Sequence, residues 1–191
     1  MKILICGDSF ASVWSNAGWP SMLAQQHQVV NRAQAGASEY RIWLQLSKEN
    51  LDNYNAVIIC HTSPYRIFVA EHPIHHNNSM YSHCDFIYSD VAYHAKDHPE
   101  LNSLKDYFEN WFDLDHAEFV HNLLCQQIVN HATQHKTIHM TGISWNKWNI
   151  ANLLDISQWA VPGLTNHMDD KHNTIVYNKI STLLQDCLAG Q

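Results

Sequence analysis

A chain of 191 residues, 46% of them hydrophobic and seven of them tryptophan, can bury the core of one domain and is too apolar to be disordered. Its formal net charge of −7, with 11 Lys plus Arg and no basic run, excludes nucleic acid and anionic membrane surfaces as expected partners. No apolar segment approaches membrane-spanning length and no signal-peptide pattern is visible, so a cytoplasmic protein is expected.

Residues 2–6 read as a first strand on the apolar run Ile3-Leu4-Ile5-Cys6, and Trp19 to Gln26 as a helix opened by Pro20. Gln28 to Asn31 is a short second strand, followed by a loop through Gly36. Ser38 is placed to cap a helix carrying Ile42, Trp43 and Leu46 on one face. Ala56 to Cys60 is a continuous apolar run, as in a strand buried on both faces. From Pro64 to Pro99 periodicity fades, which predicts a long excursion over the site end of the sheet. Asp115 to His135 predicts a long amphipathic helix, with Phe119, Leu123, Ile128 and Val129 near helical spacing. Thr137 to Ile143 follows as a strand and Gln158 to Val161 as a short last one. Asp170 to Leu188 closes the chain as a helix with Ile175, Val176, Ile180, Leu183 and Leu184 facing inward. The alternation predicts one α/β domain over residues 1–191, a three-layer α/β/α sandwich around a mostly parallel sheet.

Two residue types invite other chemistry. The five cysteines (Cys6, Cys60, Cys84, Cys125, Cys187) are odd in number, widely spaced and mostly inside apolar runs, which predicts reduced, buried thiols. Of fifteen histidines, His72, His75 and His76 crowd together, with His83 and Cys84 not far beyond. Pro73 argues against a helix that would set two imidazoles one turn apart, and no H-E-x-x-H or paired C-x-x-C frame occurs. A surface, histidine-rich loop with no metal is the expectation there.

The chemistry concentrates where strands end. In a parallel sheet all carboxyl ends share one edge, and ligands bind along it. The first strand ends in Gly7-Asp8-Ser9-Phe10, the second leads to Gln34-Ala35-Gly36-Ala37-Ser38, and the third to His61-Thr62-Ser63-Pro64-Tyr65-Arg66. The last loop before the closing helix holds Asn166-His167-Met168-Asp169-Asp170-Lys171-His172. A serine nucleophile needs a base within hydrogen-bond reach and an oxyanion hole, and these loops supply candidates for each. Asp8 or Ser9 as a plain helix cap is the competing reading. Asp8, Thr62 and Arg66 are candidates for substrate binding, Arg66 because a guanidinium grips an anionic group in bidentate fashion, with a surface ion pair as its alternative. Trp145 and Trp148 are candidates for a sugar-binding rim.

Gly7-Asp8-Ser9-Phe10 resembles the first block of the SGNH (GDSL) hydrolases, whose serine is the nucleophile. Asn31 to Ser38 resembles the second block, whose glycine donates a backbone N–H to the oxyanion, and the region from Asn166-His167 to the closing helix is similar to the last block, whose histidine is the base. The resemblance implies a flavodoxin-like sandwich and an ester hydrolase without cofactor or metal. Ser9 would attack, His167 would act as base, and Ser9 and Gly36 would hold the oxyanion. A small-molecule or carbohydrate ester would be the substrate. Two departures stand out. The third block's Gly-x-Asn-Asp is replaced by His61-Thr62-Ser63-Pro64, so Ser63, or less readily Thr62, would have to supply the missing donor. The acid three residues before the base is replaced by Leu164. Asp169 with His172 is the alternative pair, but His172 would already lie in the helix whose apolar stripe begins at Ile175. Three alternatives remain open: a catalytically reduced relative that binds an acyl or glycan ligand, an acyltransferase using the same serine, and a phosphate or nucleotide binder.

Overall fold

The computed structural model describes residues 1–77, 82–145, 147–161 and 167–189. Five strands, β1 (Lys2–Gly7), β2 (Gln28–Asn31), β3 (Ala56–His61), β6 (Thr137–Thr141) and β7 (Leu154–Asp155), form one sheet in the order β2-β1-β3-β6-β7. Every neighbouring pair in it is parallel. Successive residues of β1 and β3 point to opposite faces, and both faces are covered. On one side Ile3, Ile5, Ala56, Ile58 and Cys60 pack with Trp19 and Leu23 of α1 (Trp19–Ala24) and with Val176, Ile180 and Leu184 of α6 (Asp170–Ala189). On the other, Leu4, Cys6, Val57 and Ile59 pack with Ile42 and Leu46 of α2 (Glu39–Ser47) and with Ile128 and Ala132 of α5 (Leu114–Ala132). Each fully buried Ile or Leu contributes about 1.5–3 kcal/mol of transfer free energy, so the two cores make the sandwich the stable arrangement. The fold is an α/β/α three-layer sandwich. Among the described residues no helix is long and apolar enough to cross a membrane.

Ser38 caps α2 by accepting from the Arg41 amide at 3.3 Å, as its residue type predicts. Elsewhere the elements depart from the sequence pattern. The last strand is Leu154–Asp155, and a 3₁₀ turn, Ser157–Trp159, overlaps the start of the strand expected at Gln158 to Val161; two residues are too few to show a strand period. In α5, Phe119 and Leu123 are exposed, while His121, Cys125, Ile128 and Ala132 face inward. The inward stripe begins with polar residues because it meets the Thr62 carbonyl and Glu39 rather than the apolar core. In α6, Leu183 is exposed while Val176, Ile180 and Leu184 are buried.

The excursion after β3 has its own structure. It contains the antiparallel pair β4 (Arg66–Ile67) and β5 (Phe86–Ile87) and then α3 (Tyr88–His94), and α4 (Asn102–Asn110) follows just beyond Pro99. Val91, Ala95 and Leu101 form a small separate core with Ile74, Phe86, Leu104 and Phe108. A buried ion pair ties it to the sandwich: Arg41 Nη2 lies 2.7 Å from Asp85 Oδ1, and the Ser38 and Val69 amides donate to the same carboxylate at 2.7 and 3.1 Å. With those extra donors Asp85 is a satisfied buried charge, the condition under which such a pair is tolerated.

Candidate active site

The chain order makes β1 and β3 the point where the sheet's winding reverses, so their carboxyl ends open a crevice. Ser9 follows β1 there. The turn is held from several sides: the Ala11 amide donates to the Asp8 carbonyl at 3.1 Å, the Phe10 amide to Asp8 Oδ1 at 3.0 Å, and Trp14 Nε1 to the Ser9 carbonyl at 2.6 Å. Gln45 on α2 grips Gly7 twice, accepting from its amide at 2.8 Å and donating to its carbonyl at 3.2 Å.

Ser9 Oγ lies 3.0 Å from His167 Nε2. Their loops are 158 residues apart in sequence and meet because β1 is central and α6 packs on α1 beside it. The imidazole stacks on Phe10, with ring centroids 4.5 Å apart and planes at 24°. Phe10 in turn presses on Gly142, where an added Cβ would fall 2.2 Å from its ring. His167 has φ +60°, a left-handed conformation uncommon for a residue with a side chain. His167 is fixed from two sides: the Val161 amide donates to its carbonyl at 2.6 Å, and the next residue, Met168, is buried in the core. Buried Asn173 ties it down further, donating to the Met168 and Asp169 carbonyls at 3.3 and 3.0 Å and accepting from the Trp19 amide at 3.1 Å. Burial, and then the positive charge of Arg66, push the His167 pKa below its ordinary value. Among the described residues no carboxylate contacts its ring.

Ser9 and His167 line a cavity of about 360 Å³ together with Gly36, Arg66, Asp90 and His94. Gly36 has φ +72°, and a Cβ there would fall 2.6 Å from Cys84 Cβ, so both backbone and space demand glycine. Its carbonyl accepts from the Asp85 amide at 2.9 Å and from Arg66 Nη1 at 3.3 Å, which fixes the loop. Among the described residues neither the Ser9 amide nor the Gly36 amide has a protein acceptor.

Against known proteins, no protein-family model matches the chain and no curated protein matches it in sequence. Among solved structures it is similar to an acetyl xylan esterase, at 11% identity and TM-score 0.40, over 97% of this chain and 73% of the other. It is also similar to an extracellular lipase from Streptomyces rimosus, at 10% identity and TM-score 0.38, over 100% of this chain and 76% of the other. Likeness at that level says nothing about substrate or mechanism.

The remaining candidates fall in three places. Asp8 is fully buried; burial raises its pKa to about 6 against the opposing pull of Arg66 and the Phe10 amide. Thr62 is buried beside it, its hydroxyl near Asp8 without hydrogen-bond geometry. Ser63 does not line the Ser9 cavity; it faces a neighbouring cavity of about 350 Å³ between α2 and α5. Proline after it and the pinned Thr62 backbone turn it that way. His172 lies in the first turn of α6, where its amide donates to Asp169 Oδ1 at 2.8 Å and its Nδ1 lies 2.8 Å from the same oxygen. Asp169 thus serves its own helix. Leu164 and Asn166 lie outside the described residues. Trp145 and Trp148 form no rim on the Ser9 cavity; they pack edge to face at 4.8 Å over His121 and His61.

Beneath those tryptophans is a cluster that sequence patterns do not announce. Glu39 Oε1 lies 2.6 Å from His61 Nδ1, and His61 Nε2 lies 3.0 Å from His139 Nδ1. The Thr62 amide donates to Glu39 Oε2 at 3.1 Å, and His121 Nε2 donates to the Thr62 carbonyl at 2.8 Å. Burial resists ionisation of Glu39, but attraction to His61 and the hydrogen bonds of His121 and His61 outweigh it and hold the carboxyl below its usual range. Burial, and then the neighbouring His61, push His139 down to about 4. The histidine-rich excursion also differs from a surface loop: His72 is fully buried, because the small core around Val91 closes over it through Phe86. The described cysteines, Cys6, Cys60, Cys84 and Cys125, are free and buried.

Proposed function

We propose that the protein is a serine ester hydrolase of SGNH type. The contact of Ser9 Oγ with His167 Nε2 at 3.0 Å, inside a cavity, carries this reading. Ser9 attacks the acyl carbon while His167 takes its proton; the leaving alcohol then receives that proton, and water activated by the same imidazole releases the acid. A histidine whose pKa lies below its ordinary value is neutral at pH 7, the form a base requires. The amides of Ser9 and Gly36 are the oxyanion donors, worth about 3–4 kcal/mol each where such donors have been removed. Stacking on Phe10 takes over the orienting of the imidazole from the acid that the described residues do not provide.

A cavity of about 360 Å³ suits a compact acyl group or an acetylated sugar, and the guanidinium of Arg66 on its wall suits a substrate with an anionic group nearby. Buried free thiols suit a reducing compartment, so we place the protein in the cytoplasm. A non-catalytic binder of the same ligands is the second reading, favoured by an imidazole that no carboxylate of the described residues contacts. Hydrolysis of p-nitrophenyl acetate decides between them. Wild-type protein is expected to turn over and Ser9→Ala to fall to the uncatalysed rate with an unchanged circular dichroism spectrum; equal rates would overturn the serine mechanism.

A further inference from the structure

The excursion that roofs the Ser9 cavity sets three imidazoles around one carboxylate at ion-pair distance. Asp90 and His94 stand one turn apart on α3, with His94 Nε2 3.5 Å from Asp90 Oδ1. The turn after Pro73 brings His75 Nε2 to 3.4 Å from Asp90 Oδ2, and His72 Nε2 lies 3.7 Å from the same oxygen. A charge-assisted N–H···O bond at its preferred length spans about 2.7–2.9 Å, and all three separations are longer than that. Those of His75 and His94 match a different geometry. Nitrogen and oxygen ligands about 2.0–2.1 Å from a tetrahedral zinc ion are themselves about 3.4 Å apart. The ligand atoms of His75, Asp90 and His94 all lie within 4.8 Å of one another.

His72 supplies the independent observation. Its side chain is fully buried and its Nε2 has no hydrogen-bond partner. Its Nδ1 accepts from the Ile74 amide at 3.4 Å, so the proton sits on Nε2, aimed at Asp90. A buried donor left unpaired costs about 1–3 kcal/mol. It gains its partner if Asp90 is drawn into coordination, which is the relation of a ligating carboxylate to the group that orients it.

We propose that His75, Asp90 and His94 form a binding site for a divalent transition-metal ion of the zinc class, with His72 positioning Asp90. Two imidazoles and one carboxylate suit zinc, cobalt or nickel and are a poor set for magnesium or calcium. Three protein ligands leave a position open, and His75, Asp90 and His94 line the same cavity as Ser9 and His167. The site therefore faces whatever enters that cavity, and an oxygen-bearing ligand there fits its open position. The inference stands on the excursion alone and does not rest on the serine reading.

The test uses full-length protein without a histidine tag, stripped with chelator, dialysed and titrated with Co²⁺. Uptake of one equivalent, with the visible absorption of a tetrahedral or five-coordinate ion displaced by Zn²⁺, is expected. Asp90→Asn and His94→Gln are each expected to weaken binding at least tenfold, whereas His76→Gln, an exposed neighbour, leaves it unchanged. The side chains of Asp90 and His94 are 32% and 28% exposed, and an unchanged melting midpoint of the metal-free variants checks that they fold. Should one variant fail to fold, the other decides. No uptake by the wild type, or uptake undiminished in the folded variants, would overturn the site.

Discussion

Two histidine systems stand side by side at the carboxyl edge of the sheet, and each has what the other lacks. His61 holds a carboxylate at 2.6 Å and a second imidazole at 3.0 Å, but its ring bonds to no hydroxyl among the described residues. His167 holds a hydroxyl at 3.0 Å and, among the described residues, no carboxylate. Their surroundings explain the division. Glu39 and His61 are buried, His61 beside Trp148, and Glu39 also receives the Thr62 amide, so the pair joins α2 to β3. His167 is half-buried on a cavity wall, in a left-handed backbone conformation, pressed against Phe10. A short carboxylate–imidazole contact is therefore no mark of catalysis in itself; access to a reacting atom decides what the imidazole does.

The largest effect that sharpens this contrast is on turnover. His167→Ala is expected to lower kcat/KM for p-nitrophenyl acetate by about 10²–10⁴-fold, the range for loss of a general base. His172→Ala, in the first turn of α6 beside Asp169, should change it by less than about threefold, since that pair caps a helix. With His167 as base, kcat/KM rises with pH through a midpoint below 6.5, because burial and Arg66 both favour the neutral ring. A loss confined to His172→Ala would assign the base to the other alignment.

Glu39→Gln probes the other side. Breaking a buried pair leaves its partners uncompensated, so a loss of about 3 kcal/mol in urea unfolding is expected, while kcat per folded molecule stays close to wild type. A stable variant with much reduced kcat would show that the buried system also serves the chemistry.

Asp8 lies between the two systems and yields the smallest of these effects. Its folded pKa of about 6 is above the unfolded value of 3.8, so the folded state binds the proton more tightly. Stability from this group is therefore lost as pH rises from about 4 to about 6, and stays low above that. Asp8→Asn keeps an acceptor for the Phe10 amide and has no charge to desolvate. It should match the wild type near pH 4 and exceed it by about 2 kcal/mol at pH 8, read from urea midpoints at the two values. A gap that does not widen with pH would contradict the buried charge.

Much of this was readable before folding, for identifiable reasons. Ile3 to Cys6 and Ala56 to Cys60 are apolar runs because both faces of a central parallel strand are covered, and the Ser38 cap is a local signal. Ser9, Gly36 and His167 stand out because each sits beside an element boundary in a motif. Leu154–Asp155 was hidden by its length, and the inward face of α5 by His121 and Cys125, which satisfy polar neighbours where a hydrophobic stripe would be sought. Gln45 and Asn173 act through backbone groups far away in sequence, and no local pattern encodes that. Glu39 and His61, 22 residues apart, meet only because α2 packs on β3. Ser63 was expected in the oxyanion hole by analogy of position; the pinned Thr62 backbone directs it to the adjacent cavity instead.

The central claim, that Ser9 is an activated nucleophile, is tested most directly by its reaction with a fluorophosphonate probe. Intact-mass analysis of the full chain after incubation at pH 7.5 is expected to show one covalent adduct on the wild type, mapped to Ser9, and none on Ser9→Ala. His167→Ala should label at least about a hundredfold more slowly, because the hydroxyl then loses its proton acceptor. A wild-type protein that stays unlabelled, or an adduct that persists in Ser9→Ala, would contradict it.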